Sequence, residues 1–387
     1  INFGIRDSFG RKAKLILNGN ATIGVNRTFS ENMSTAALNS NPANNFNNNT
    51  LNESEQVAFN TSGSYSVKLK GDDFQMSARF AVNYNENESV LDWTNMTTVF
   101  NPMNTSTIQQ LRNNNTDQFS LMVAPTLTRK ISDYWAMDFG LGLILKKNNL
   151  NRVEGVFNDQ GGLIGTPIPA FEVSETVARP TLGIRRADTK VLFSLNLNAQ
   201  SSQFDRNLAD AAKNSTSYFY LMPQLVYRNA YRSGRRVEAR YSTNVVMPNQ
   251  NQLFPVTNTL NQVSVYEGNI NLKPEYRHNL RLTWSVFDEF SFTSFFITAQ
   301  GNYIDNKINN SQIVDDQLIQ TITPVNTSGQ TNLMLNADFS APIRSMGLNF
   351  TASLFENFTK GVTLINMEEN ETTTLSHNLT VSFENRN

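Results

Sequence analysis

The chain has 387 residues, a formal net charge of -1 and no cysteine, so neither a disulfide framework nor a thiolate metal site can be built from it, and it carries no global field for nucleic acid. Hydrophobic residues make up 39% and charged residues 17%, with a mean hydropathy of -0.39. Asn, Ser and Thr fill the difference, a balance that suits a barrel with an apolar outside and a wet interior.

No run approaches the ~18–20 consecutive apolar residues of a membrane helix, which excludes a helical span. Strands closed into a barrel are the other structure that satisfies every backbone polar group in lipid. Nothing resembling a Pro/Gly/Ser linker divides the chain, so residues 1–387 are expected to form one continuous architecture. The chain opens on Ile1 and shows no signal peptide, as expected if it begins inside a mature export product.

In chain order, Ile1 to Arg6 reads as the end of a preceding strand. Strands follow at 12–28, 56–69, 74–85, 118–129, 134–147, 172–185, 189–200, 216–231, 235–247, 275–287, 290–303, 321–340, 346–359 and 371–384, about fourteen in all. The clearest is Trp135 to Leu145, where Trp135, Met137, Phe139, Leu141, Leu143 and Leu145 alternate with Ala136, Asp138, Gly140, Gly142 and Ile144. Leu375, Leu379, Val381 and Phe383 repeat the pattern near the other end. Ordinary strands stop after ~5–6 residues, whereas a tilted crossing of a bilayer takes ~9–11.

Short turns are expected at Asp7 to Gly10, Lys70 to Asp73, Lys130 to Asp133, Arg186 to Asp188, Arg232 to Gly234, Asp288 to Glu289 and Ala341 to Ser345. Long connections are expected at 30–53, 86–116, 148–171, 201–215, 248–274, 305–320 and 360–370. The two kinds alternate without a break, as periplasmic turns and external loops do in an outer-membrane barrel. The many Asn-x-Ser/Thr triplets of the loops admit a glycosylation reading, but so Asn-rich a chain makes them by chance, which is the stronger expectation. The fold class is therefore an all-β, transmembrane, antiparallel up-and-down barrel in the cell outer membrane, and the broken hairpins at Ile1 and Asn387 suggest a portion of a larger one.

Two sets of side chains stand out. Trp135, Trp284, Tyr241 and Phe383, with Tyr84, Tyr227, Tyr276 and Phe339, lie near the ends of apolar faces and form a candidate aromatic girdle at headgroup level. Arg228, Arg236, Glu238, Arg240, Arg277 and Arg281 fall on the polar faces of three consecutive strands. They form a candidate lumen wall, either ion-paired within itself or able to bind an anionic solute or the acidic groups of a domain filling the lumen. The two histidines, His278 and His377, have no His, Cys or carboxylate at ligand spacing, and no phosphate loop, nucleophile elbow or carboxylate pair is present. No enzymatic chemistry, metal or cofactor is expected.

The stretch Gln252-Leu-Phe-Pro255, then Tyr266-Glu-Gly-Asn-Ile-Asn-Leu-Lys-Pro-Glu-Tyr276, is similar to the GNPxLKPE segment of TonB-dependent receptors, with Asn271, Leu272, Lys273, Pro274 and Glu275 as its core. Supporting pieces are Tyr220 to Arg228, Arg240 to Asn244 and Thr323 to Gln330. The wider setting resembles the outer-membrane β-barrel family common in Bacteroidota. That resemblance implies a barrel of about twenty-two strands enclosing a plug, with TonB driving import of siderophores, glycans or peptides captured by the external loops. It also implies that Lys273-Pro274-Glu275 lies where an external loop re-enters a strand.

Nothing in residues 1–387 reads as a plug or a TonB-interacting segment. Either the plug and further strands lie outside this stretch, or the chain is a plugless relative. The expected partners are outer-membrane lipid, a plug and TonB, or a surface lipoprotein, and not nucleic acid. A scaffold barrel that docks a surface lipoprotein or secretion partner is the rival reading. A β-rich adhesin, with shorter strands and polar outer faces, is a third.

Overall fold

The computed structural model of the protein describes residues 1–9, 12–38, 41–69, 73–100, 103–157, 163–209, 211, 213–257, 264–316 and 318–385. Its strands are β1 (Asn2–Phe9), β2 (Ala13–Leu38), β3 (Asn41–Leu69), β4 (Phe74–Phe100), β5 (Met103–Lys130), β6 (Trp135–Phe157), β7 (Leu163–Ala187), β8 (Val191–Leu208), β9 (Asn214–Arg232), β10 (Arg235–Val246), β11 (Ser264–Tyr266), β12 (Glu275–Asp288), β13 (Thr293–Asp305), β14 (Lys307–Val314), β15 (Gln320–Thr327), β16 (Gln330–Ile343), β17 (Leu348–Ile365) and β18 (Glu368–Asn385). One short helix, α1 (Gln250–Leu253), interrupts them.

Fifteen of these strands make one antiparallel sheet in which β1 to β10 pair in succession, followed by β12, β13, β16, β17 and β18. Those are the fourteen expected strands and the stub at Ile1. No pairing joins β18 to β1 among the described residues, so the sheet is open there.

Local chemistry fixes the turn end. The Asp188 carboxylate accepts the amides of Lys190 and Val191 at 2.8 Å each, and that of Asp288 accepts the amides of Phe290 at 2.9 Å and Ser291 at 3.3 Å. Gly234 has φ +67, and a Cβ there would stand 2.0 Å from the Phe287 carbonyl oxygen, so glycine alone fits this turn. Gly10 and residues 70–72, expected as turns, lie outside the described residues.

The long connections differ from expectation. Segments 30–53, 86–116, 148–171, 201–215 and 360–370 are mostly strand, because the hairpins β2–β3, β4–β5, β6–β7, β8–β9 and β17–β18 continue their ladders nearly to their tips. β2 to β5 reach 26, 29, 27 and 28 residues, far beyond a membrane crossing. Asn side chains add bonds across the ladder, as from Asn48 Nδ2 to Asn95 Oδ1 at 2.7 Å. The expected strand 321–340 is two strands, β15 and β16, parted at Ser328-Gly329, and 305–320 contains β14.

Side chains sort by parity. On β6, Phe139, Leu141, Leu143 and Leu145 are exposed, while Asp138, Gly140, Gly142 and Ile144 between them are half-buried on the concave side. Cross-strand pairs carry the apolar face round the sheet through Phe139–Leu182, Leu182–Leu197, Leu280–Tyr241 and Leu354–Leu379. An outside that is exposed and apolar over this many strands is a lipid-facing band.

Candidate lumen wall and the segment folded across the mouth

The register places Glu238 of β10 opposite Arg228 of β9 and Thr283 of β12, and Arg240 opposite Arg281. All face the concave side. Glu238 gathers three guanidinium groups: Oε2 accepts from Arg228 Nε at 3.1 Å and from Arg236 Nη2, and Oε1 accepts from Arg240 Nε. Arg281 has no carboxylate partner among the described residues and faces the same open concavity as Thr283, Ser285 and Phe296. Arg277 shares the face but not the cluster, because it lies four residues up β12 and binds Glu275, with Nε at 2.9 Å from Oε2. Of the six residues grouped from the sequence, the structure brings five together.

Glu275 is the first residue of β12, where a long segment re-enters the sheet. Its side chain is 4% exposed and accepts from Arg277, from Lys307 Nζ at 3.1 Å and from the Ile308 amide at 2.9 Å. Burial pushes its carboxyl up, but the Ile308 amide and the two cations outweigh this and hold it below the usual carboxylate range. The preceding motif residues add to the clasp. Asn326 Oδ1 accepts the Lys273 amide at 2.8 Å, and Asn326 Nδ2 donates to the carbonyls of Lys273 at 3.0 Å and Asn306 at 2.9 Å. Leu272 and Pro274 are fully buried, while Asn271 and Lys273 are exposed. β14 and β15 pair antiparallel into a flap, with β11 added in parallel to β15.

Residues 247–257 and 264–274 do not stand outward as a loop. α1 starts at a capping box in which Asn249 and Gln252 bond reciprocally, at 2.9 and 3.0 Å. Leu253, Phe254 and Leu272 then pack on Leu150, Phe171, Val173 and Phe204, lumen-side residues of β6 to β8, with Ile308 of the flap. Gln250 Nε2 donates to the Phe171 carbonyl at 3.2 Å, and Arg206 Nη1 donates to the Ile270 carbonyl. The Arg152 guanidinium lies 4.7 Å from the Phe254 ring. Its burial, and then the neighbouring Arg112 cation, lower its pKa to about 10 against the pull of Glu154. The segment is a strap across the mouth opposite the short turns, held by an apolar cluster and polar bonds on both sides. No sequence signal marked it, because Leu253 and Phe254 find their partners far upstream, at Leu150, Phe171, Val173 and Phe204.

Rings on the outer face fall in two tiers. Near the turns are Trp135 with Phe193 (6.2 Å between centroids), Trp284 with Phe295 (5.3 Å), and the row Phe339, Phe350 and Phe383 at 6.0 and 5.3 Å. Trp284 Nε1 donates to the Tyr231 hydroxyl at 3.1 Å. Higher up, His278 meets Tyr276 (4.7 Å), Tyr241 (6.2 Å) and Tyr303 (5.9 Å), and the Tyr241 hydroxyl shares a 2.8 Å hydrogen bond with His278 Nδ1. Tyr241 thus belongs to a different tier from Trp135, Trp284 and Phe383. Between Tyr276 and Trp284 the strand rises ~27 Å, or ~20 Å after tilt, close to the ~25 Å apolar band of such barrels.

No His/Cys/Asp/Glu group suited to a metal occurs among the described residues. The arrangement concentrates positive charge on one wall of the concavity.

Among solved structures, the chain is similar to the copper transporter OprC (10% identity, TM-score 0.45, covering 91% of this chain and 58% of that one). It is also similar to the siderophore receptor PiuA from Acinetobacter baumannii (10%, 0.41, 96% and 64%) and to a hemophore receptor HasR of Serratia marcescens (10%, 0.42, 93% and 61%). It therefore spans less than two thirds of the length of each of these structures. No curated protein matches it. Residues 182–386, more than half of the chain, match the model of the outer membrane protein beta-barrel family, and the chain belongs to that family as an outer-membrane β-barrel protein.

Proposed function

We propose that the chain is the barrel of an outer-membrane importer that performs no chemistry. The tall external hairpins capture a solute, the strap limits entry at the mouth, and the solute then passes along the polar wall. The observation that carries this reading is the strap itself, clamped to lumen-side residues of β6 to β8 above a wall of polar and cationic side chains. A sealed scaffold has no need of an open, charged concavity beneath its cap.

On this reading the fifteen-stranded sheet closes with further strands into a barrel of about twenty-two, around a plug, and TonB energises passage. The open edges of β1 and β18 support closure by added strands, since unpaired backbone is not tolerated in lipid.

The test is uptake. Cells lacking the gene, and cells complemented with it, are offered labelled siderophores, oligosaccharides and peptides with and without an uncoupler. Uptake of one class that requires the gene and stops with the uncoupler is the expected result. Equal uptake in both strains, together with stoichiometric co-purification of a surface lipoprotein, would instead establish the scaffold.

A further inference from the structure

We propose that the arginine wall of β9, β10 and β12 is a binding site for a small, multiply charged oxyanion, the phosphate or carboxylate groups of the solute itself. The inference deepens the import reading, on which it rests for the source of the ligand.

Four guanidinium groups, those of Arg228, Arg236, Arg240 and Arg281, line one patch with a single carboxylate, that of Glu238, which is bonded to the first three; a surplus of three positive charges is left. Arg240 and Arg281 stand directly opposite each other on neighbouring strands, an arrangement of like charges that costs stability unless an anion lies between them. Both oxygens of Glu238 are already engaged, and each of its three arginines spends a single nitrogen on it. Each guanidinium carries five donors in a planar fork suited to bidentate oxyanions, so donors remain directed at the concavity.

Among the described residues, no further carboxylate is paired with these arginines. On the same face, Asp338 of β16 is two strands beyond Ser285 by the register through Phe296, and it accepts from Ser353 Oγ at 2.7 Å. The arginine side chains are only partly buried, with 37%, 48% and 53% exposure for Arg228, Arg236 and Arg240. A ligand can therefore reach them from the lumen. The hydroxyls of Thr283 and Ser285 supply neutral donors at the rim. The site lies near the turn end, below the strap, and would be the last station before release.

The test is titration calorimetry on the detergent-purified full chain with pyrophosphate and, separately, citrate, at low and at moderate salt. Saturable binding is expected, weakened at least tenfold by R240Q/R281Q, weaker at higher salt and unchanged by K190Q at a turn. Arg281→Gln alone gives a second reading should the double variant fail to fold, since no ion pair is lost with it. A preference for pyrophosphate assigns phosphate and one for citrate assigns carboxylate. Absence of binding to both, or equal binding by wild type and the arginine variants, overturns the site. No gradient is present in this assay, so binding without cellular uptake would sink the import reading alone, and uptake without binding would sink this one.

Discussion

The Ile308 amide donates to the Glu275 carboxylate across 2.9 Å, and this bond joins the flap to the first residue of β12. Lys307 and Arg277 complete the ring around the same carboxylate. Removing it leaves the buried Ile308 amide without its acceptor, together with two cations that are partly exposed. Glu275→Ala is expected to weaken the attachment of flap and strap by about 1–3 kcal/mol, the cost of a buried donor left unsatisfied, and Glu275→Gln by less, because an acceptor oxygen remains. Hydrogen exchange over residues 264–274 and 305–327 would rise in the alanine variant while exchange in β12 stays slow.

The same carboxylate sets a pH dependence. Its folded pKa is held below the unfolded value, so ionisation favours the closed mouth. That contribution is complete above the unfolded value of ~4.3 and is lost as pH falls through the lowered folded one. Opening of the strap, read by hydrogen exchange or protease nicking between pH 6 and pH 3, is expected to grow towards the acid end. It should do so much less in Glu275→Gln, and a strap that tightens on acidification would contradict the clasp.

The faces of the strands were legible from the sequence because lipid and water impose opposite polarities at a period of two, as Trp135 to Leu145 shows. The point of re-entry at Pro274 and Glu275 was legible too, but not the bonds from Arg277, Lys307, the Ile308 amide and Asn326 that clasp it. The hairpin extensions were not. Both of their faces lie above the lipid, so Asn44 to Asn49 and Asn113 to Asn115 carry no alternation, and Asn has low strand propensity. Their ladders are instead closed by side-chain bonds and by buried Phe46, Trp93 and Arg112, whose guanidinium lies 5.1 Å from the Trp93 ring. The strap was hidden for another reason. Its apolar residues, Leu253, Phe254 and Leu272, follow no period, and their partners on β6 to β8 are distant in sequence.

Leu272 is wholly buried between the strap and the barrel wall. Leu272→Ala removes packing that nothing nearby can refill and is expected to cost about 2–5 kcal/mol of strap stability. The barrel ladder does not depend on that contact. Local exchange in residues 264–274 should therefore speed up while the thermal transition of the barrel barely moves. A global loss of folding would show that the strap is part of the barrel core rather than a cap on it.

The three tryptophans report on membrane depth. Trp284 is 43% exposed on the outer face and Trp93 is 1% exposed in the hairpin extension of β4. In vesicles of lipids brominated near the headgroup, wild-type fluorescence is expected to be strongly quenched. W135F/W284F, which retains Trp93 alone, is expected to escape quenching. If Trp93 were quenched as strongly as the other two, the hairpin extensions would have to lie in the bilayer and the two tiers of rings would not mark its edges.

Leu282 and Thr283 are neighbours on β12 with opposite fates, Leu282 exposed within the apolar band and Thr283 turned to the concavity beside Glu238. An arginine on the lipid face near the midplane is expected to cost about 2–4 kcal/mol, whereas the lumen accommodates charge. Leu282→Arg should therefore lower the denaturant midpoint of the reconstituted protein well beyond Thr283→Arg, although the second change adds a cation to an already cationic wall. Repeating the second measurement at higher salt separates the two costs, because repulsion on the wetted wall is screened and desolvation in lipid is not. A soluble adhesin with polar surroundings on both faces would lose little from either change, so the difference between these adjacent positions tests the membrane face directly.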